Sequence, residues 1–319
     1  MAVLQTAIEM ELPDILEKTQ NPKVLAEILK VETDETNLIY FLDAMTALGF
    51  AEKKGGTYTN TPFSKSYLRK DSPTYLGGMV KNISQMQHRN LLHIQELILQ
   101  GPPKVENKNK LDREEKWKDS ARHLANYQKA DIAERTAAFI ASLPEYPDMQ
   151  RMLDLGCGPG IMCMEVVSNH PYMEGVLCDM PPLIEVACEE IAAAGLESRM
   201  STIAGDYNEV DFGKNYDLIW ASQTLYYAKD LSSMFSRIHH ALNPGGIFIS
   251  LHEGLTCERT QPSDMVLSRL SLALEGQDVS FEQGEIASYL PEAGFTSIET
   301  KNMSLPFGPA ELIIARKSR

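Results

Sequence analysis

Asp154, Asp179 and Asp206 each lie at the end of a short apolar run, and the first opens the stretch Asp154-Leu-Gly-Cys-Gly-Pro-Gly160. Met152 to Leu155 reads as a buried strand. Gly156, Gly158 and Gly160 then let the chain turn tightly and approach a ligand where side chains would collide. Ile161 to Ser168 has helical spacing, so the unit is a strand, a glycine turn and a helix N-terminus. That is a nucleotide cradle. A dinucleotide fingerprint needs a glycine three places past Gly158, where this chain has Ile161. Asp179 follows the glycines by roughly twenty residues and suits both hydroxyls of a ribose. A site lined by carboxylates favours a ligand with a cationic end. S-adenosylmethionine, an ammonium and a sulfonium with no pyrophosphate, fits better than NAD.

Four stretches occur in order: Asp154-Leu-Gly-Cys-Gly-Pro-Gly160, Asp179-Met-Pro-Pro-Leu183, Ala204-Gly-Asp-Tyr207 and Leu242-Asn-Pro-Gly-Gly246. Together they resemble the successive motifs of class I S-adenosylmethionine-dependent methyltransferases. More narrowly, and nearly end to end, the chain resembles the plant and bacterial small-molecule O-methyltransferases that carry an N-terminal winged-helix dimerisation domain. The resemblance implies a cofactor set of Asp154, Gly156, Gly158, Asp179, Met180, Asp206, Tyr207, Ser222 and Gln223. The amides following Gly156 and Gly158 would face the methionine moiety, Asp154 would hold its ammonium, and Asp179 the ribose. Met180 would pack on the adenine, Asp206 would accept from its amino group with Tyr207 stacking, and Ser222 and Gln223 would face the methionine end. An acid at a strand end can instead merely cap the next helix, a role open to Asp179 and Asp206. S-adenosylhomocysteine would be the product, no metal is implied, and a homodimer through the N-terminal domain is expected.

Methyl transfer is an in-line displacement, so an enzyme must align the nucleophile near 3 Å and remove its proton where one must leave. In the resembling plant enzymes a histidine in a Leu-His-Asp-Trp run removes it. Here the run is Leu225-Tyr-Tyr-Ala228, and Tyr226 stands in the histidine's place. Of the two glutamates that usually flank that histidine, one position aligns with His252, with Glu253 matching after a one-residue shift, and the other aligns with Ser280. Tyrosine, with an ordinary pKa near 10, is a poor base but can orient a substrate. Four readings stay open. The acceptor is an oxygen acidic or aligned enough for proximity to suffice; it is a thiol or thioether; His252 or His123 serves as base, for carbon or nitrogen included; or the chain binds S-adenosylmethionine without methyl transfer. Tyr127, Tyr227 and Met265 are candidates for the acceptor pocket, with His88 and His123 nearby in the pattern.

The elements that must position these residues are set by pattern and composition. At 319 residues with 43% hydrophobic residues, the chain suffices for two domains and a buried core. No apolar run approaches the roughly eighteen residues of a membrane span, and the N-terminus has no leader pattern, so a cytoplasmic protein is expected. A net charge of −14 without a basic tract disfavours nucleic acid. Of five cysteines, Cys157, Cys163, Cys178 and Cys188 fall beside the cofactor units without metal-ligand spacing and read as buried thiols.

Residues 1–100 read as the dimerisation domain, 101–147 as a connecting helical region covering the active site, and 148–319 as the catalytic domain. The first predicts a helix over 2–17 interrupted at Pro13, a helix from Pro22 to Leu29, and a helix over 34–48 capped by Thr33. A hairpin turning at Gly55-Gly56 comes next, with one helix over 79–100. Asp34, Glu35 and Asp43, with no Lys or Arg beside them, argue against DNA contact by the third helix. Residues 104–118 read as a charged, solvated loop and 121–143 as a helix. Beyond Asp148, strands predicted over 151–155, 175–178, 200–204, 216–221, 246–251, 296–301 and 310–315 alternate with helices. That is an α/β, Rossmann-like class I domain of seven strands, mostly parallel, with ligands at the strands' carboxyl ends.

Overall fold

The alternation after Asp148 becomes one seven-stranded sheet in a computed structural model that describes residues 2–102, 110–305 and 308–319. Its strands are β1 (Arg151–Leu155), β2 (Glu174–Asp179), β3 (Met200–Ala204), β4 (Tyr216–Ser222), β5 (Leu242–His252), β6 (Phe295–Leu305) and β7 (Gly308–Lys317). Their spatial order is β6-β7-β5-β4-β1-β2-β3. The five strands from β5 to β3 run parallel, while β7 pairs antiparallel with both β5 and β6. All seven expected strands are present, and β5, β6 and β7 extend past their expected ends. The strand order reverses between β1 and β4, which opens a crevice at the carboxyl ends of the parallel strands.

Period-two alternation explains how the sheet is buried on both faces. Met152, Leu177, Trp220 and Ile249 face one core, which includes residues of the helices Ala133–Ala141, Ile161–Asn169 and Pro181–Ala194. Leu153, Leu155, Cys178, Ile219 and Phe248 face the other, with Phe235 and Ile238 of the helix Leu231–Ala241.

The chain divides into two compact units, Met1–Gln85 and Met86–Arg319. Within the second, the expected loop over 104–118 is corrected from Lys110 onward: a helix runs Lys110–Tyr127, passes through a π-helical turn at Gln128–Ile132 and continues as Ala133–Ala141. Ion pairs across to the helix Pro181–Ala194 give its charged surface a partner: Lys118–Glu185 at 2.5 Å, Arg122–Glu189 at 3.3 Å and Lys129–Glu190 at 2.5 Å. Residues 103–109 lie outside the described residues.

In the first unit the opening helix breaks at Met10-Glu11, giving Ala2–Glu9 and Leu12–Leu16. Pro13 is not the breaker: it sits in the first turn of the second helix, where its missing N–H costs nothing. The third helix spans Thr36–Ala47, and Asp34 rather than Thr33 accepts from its Thr36 amide at 3.0 Å. Ala51–Lys54 and Thr57–Asn60 pair antiparallel about Gly55-Gly56, both at positive φ as a two-residue hairpin turn needs. The stretch over 79–100 is two helices, Gly77–Leu91 and Ile94–Gln100.

Candidate functional site

The glycine turn after β1 is stitched to its neighbour strand. Gly156 and Cys157 donate their amides to the Cys178 carbonyl at 2.8 and 3.2 Å, and Gly158 donates to Asp179 Oδ2 at 2.7 Å. The residue after Gly158 is Pro159, which has no N–H. Of the two amides expected to face a ligand, that of Cys157 is therefore engaged within the protein and the one after Gly158 does not exist. The glycines serve close packing at positive φ: a Cβ on Gly156 would meet Thr224 Oγ1 at 2.0 Å, and one on Gly160 would meet Leu177 Cδ1 at 2.4 Å. Leu124 lies over Gly158, within 3.3 Å of where its Cβ would be, so the helix Lys110–Tyr127 covers this turn.

Asp179 also accepts the Met180 amide on Oδ1 at 2.7 Å, leaving each carboxylate oxygen a further lone pair. Burial pushes its carboxyl up, against the lowering by the Gly158 and Met180 amides. Asp154 lies on β1, two residues before Gly156. It is 2% exposed, and its Oδ2 has no hydrogen-bond partner among the described residues. Burial, and then the charge of Asp179, push its carboxyl up to about 8. An orphaned buried carboxylate oxygen suits a cationic donor, which is the fit an ammonium requires.

Asp206, after β3, accepts the Asn208 amide and side chain on Oδ1 at 2.9 and 2.8 Å. Burial pushes its carboxyl up, but the Asn208 bonds and Lys229 outweigh this and hold it below the usual range. It closes a local turn, and Lys229 Nζ lies 3.9 Å from its Oδ2. Tyr207 is 7% exposed, and its hydroxyl donates to the Thr224 carbonyl at 2.7 Å, so it anchors the segment after β4.

That segment, Ser222 to Tyr227, carries the candidates Ser222, Gln223, Tyr226 and Tyr227. Gln223 adopts φ 54, a left-handed backbone for a non-glycine residue. His252, at the end of β5, is 2% exposed. Its Nε2 accepts the amides of Thr224 at 3.1 Å and Leu225 at 3.0 Å, and Nδ1 lies 3.0 Å from Ser250 Oγ. The network assigns the proton to Nδ1 and leaves Nε2 no lone pair. Burial, then Arg269, push its pKa down to about 3. His252 is corrected from candidate base to structural pillar.

Tyr226 is half-buried, its ring centre 5.9 Å from that of His252 and 6.2 Å from that of Phe281. Tyr227 packs edge-on against it at 4.6 Å and is exposed. Burial pushes both phenols up. His123 and Tyr127, one helical turn apart on the helix Lys110–Tyr127, are half-buried, and burial followed by the charge of Glu253 pushes the Tyr127 phenol up. Met265, on the helix Ser263–Leu274, is 2% exposed and has no surface to offer a ligand, a correction to its place in the pocket. The side chain of His88 lies outside the described residues.

Arg269 was not legible as a site residue. It pairs with Glu253 at 2.6 Å, donates to Gln223 Oε1 at 3.3 Å and to the Val279 carbonyl, and stands 5.9 Å from the centre of the Tyr226 ring. In the sequence it is one basic position in an otherwise ordinary amphipathic helix. Cys157, Cys163 and Cys178 are buried as expected, whereas Cys188 is exposed. Among the described residues no cluster of His, Cys, Asp and Glu is built to hold a metal ion, and no helix is long and apolar enough to cross a membrane.

A mixed, mostly parallel sheet with reversed strand order, a glycine turn and acids at or beside three successive strand ends define a class I S-adenosylmethionine-dependent methyltransferase. Residues 118–296 match the O-methyltransferase domain and residues 1–70 the O-methyltransferase dimerisation domain; the chain belongs to the O-methyltransferase family. It is 24% identical over 269 residues to 3-hydroxy-5-methyl-1-naphthoate 3-O-methyltransferase of Streptomyces sahachiroi, covering 83% of this chain and 77% of that one. It is also 24% identical to the tetracenomycin polyketide synthesis 8-O-methyl transferase of Streptomyces glaucescens, covering 88% and 82%. The crystal structure of human N-acetylserotonin methyltransferase with S-adenosylmethionine superposes with a TM-score of 0.79 at 21% identity, over 100% of this chain and 94% of that one.

Proposed function

We propose that the enzyme methylates the oxygen of a small acceptor bearing an acidic hydroxyl, chiefly by alignment. The observation that carries this reading is the pair Tyr226 and His252: tyrosine stands where the resembling plant enzymes have their basic histidine, and the neighbouring imidazole has no free lone pair. The two Streptomyces relatives, named for O-methylation in naphthoate and polyketide chemistry, support an aromatic hydroxyl.

Bound S-adenosylmethionine supplies a methyl group already activated on sulfur. Asp154 holds the ammonium end, Asp179 the ribose and Asp206 Oδ2 the adenine amino group, with Met180 against the adenine ring and Ser222 and Gln223 at the methionine end. Gly156, Gly158 and Gly160 give the turn its shape. Tyr226 and Tyr227 orient the acceptor, with Tyr127 and His123 on the covering helix.

Methyl-labelled S-adenosylmethionine, offered with phenols, thiols, thioethers and activated carbon acids, tests the reading. Label is expected in phenols, fastest in the most acidic ones, and Tyr226→Phe is expected to retain activity within about tenfold, as loss of one orienting hydrogen bond would give. Label only in sulfur or carbon acceptors, or a collapse of several orders of magnitude in Tyr226→Phe, would overturn it.

Residues 1–70 match a dimerisation domain, and Tyr40, Leu48 and Phe63 of the first unit are 67%, 56% and 48% exposed. We expect a homodimer. Light scattering at micromolar concentration should give twice the chain mass of 35.6 kDa, and a monomer there would refute it.

A further inference from the structure

Just past the carboxyl end of β5, Glu253 forms an ion pair withdrawn from solvent with Arg269 of the helix Ser263–Leu274. Arg269 Nη2 lies 2.6 Å from Glu253 Oε2, with the two side chains 16% and 11% exposed. Such a pair is costly to desolvate, and apolar residues of the same volume would commonly serve stability as well or better. Its partners hold it in one geometry. Arg269 reaches from the helix Ser263–Leu274 to Glu253, to the Gln223 carboxamide at 3.3 Å and to the Val279 carbonyl, and its guanidinium stands beside the Tyr226 ring. Gln223 meets it from the left-handed backbone position at the end of β4.

The surrounding groups narrow what this carboxylate does. His252 has both nitrogens engaged, and the phenols of Tyr127, Tyr226 and Tyr227 are pushed up by burial, which removes them as bases. Glu253 directly follows His252 at the strand edge where Asp179 and Gln223 also lie. Its partner Arg269 also reaches Gln223 Oε1 and stands 5.9 Å from the centre of the Tyr226 ring, which sets the pair beside the segment after β4 that carries the acceptor-orienting tyrosines.

We propose that Glu253 is the catalytic group that receives the acceptor's hydroxyl proton, with Arg269 as the positioning residue that fixes its carboxylate at the cleft. The inference rests on the oxygen-acceptor reading above and deepens it. The acceptor O–H bond breaks, its proton passes to a Glu253 carboxylate oxygen, and the electron pair stays on the acceptor oxygen. That oxygen forms the new bond to the methyl carbon as the carbon–sulfur bond breaks, with its electrons left on sulfur. Glu253 then returns its proton to water. The group matters most for hydroxyls still protonated at the working pH and least for those already ionised.

Glu253→Gln, which keeps an acceptor for Arg269, is expected to lower kcat by roughly 10²–10³-fold with an acceptor of pKa near 10. The loss should be under about tenfold with a nitrophenol-like acceptor already ionised at assay pH, because no proton then needs a home. Affinity for S-adenosylmethionine by calorimetry should stay within about threefold. Formate should restore turnover to Glu253→Ala, and Arg269→Lys should recover part of the kcat lost in Arg269→Ala, with KM less affected. A Glu253→Gln enzyme within about threefold of wild type for acceptors of every acidity would overturn the proposal. So would loss of cofactor binding in that variant, which marks a structural role. Wild-type turnover with an indifferent Glu253 refutes this step alone; a wild type that methylates no hydroxyl refutes the oxygen reading as well.

Discussion

Asp154→Asn is expected to raise the melting temperature of the cofactor-free enzyme at pH 8 while weakening S-adenosylmethionine binding by roughly 10- to 100-fold. The two effects have one cause. Burial, and then Asp179, raise the Asp154 carboxyl from 3.8 to about 8 in the native state, so the folded protein holds this proton more tightly than the unfolded chain does. Its contribution to stability is complete below about pH 4 and is lost as pH rises through about 8. Asparagine removes the penalty of ionising a buried oxygen that lacks a partner. The gain in melting temperature should therefore be near zero at pH 4, grow to pH 8 and level off above it. Cofactor binding should release a proton near neutrality, because an ammonium beside Asp154 favours the ionised form, and apparent affinity should climb with pH up to about 8. Scanning calorimetry across pH, with titrations in two buffers of different ionisation enthalpy, reads both. Parallel melting curves for the two proteins, or a binding heat independent of buffer, would contradict the account.

His252→Leu should be the most damaging single change near the cleft. It leaves the Thr224 and Leu225 amides as buried donors without an acceptor, a loss of about 2–5 kcal/mol by the usual cost of two such groups. The segment it unmoors carries Gln223 and Tyr226, so kcat should fall with stability. The sign with pH is opposite to that of Asp154. Here the native pKa is depressed to about 3 from 6.5, so the stability contribution is complete above about 6.5 and is lost as pH falls toward 3. The variant should show a flatter acid limb in melting temperature over that range. His252 should add no inflection to the wild-type rate profile between about pH 5 and 9. An unchanged acid limb in His252→Leu, or full stability at pH 7, would show that the imidazole is dispensable.

How far the sequence foretold these features depended on the kind of signal involved. The seven strands were legible because short apolar runs bounded by Gly, Pro and Asp leave a parallel strand little alternative, and the acids at 154, 179 and 206 mark strand ends directly. Roles that depend on pairing across the fold were not. Tyr207 and Asp206 occupy neighbouring positions, yet one packs into the core and bonds Thr224 while the other is half-buried and bonds Asn208. His252 read as a base because residue type suggests chemistry, and only tertiary contacts reveal that its lone pair is taken. Arg269 escaped notice for the complementary reason, since its partners lie 16, 46 and 10 positions away in the chain. The helix beginning at Lys110 was hidden by its own charges, whose partners belong to the helix Pro181–Ala194.

Those charges make the cover over the glycine turn an electrostatic clasp. Lys118, Arg122 and Lys129 engage Glu185, Glu189 and Glu190 at the rim, whereas Ala121 and Ala125 beneath them are held by apolar packing. Electrolyte weakens the rim and leaves the packing intact. Higher ionic strength is therefore expected to speed S-adenosylmethionine entry and exit in stopped-flow binding while leaving the thermal melt nearly unchanged.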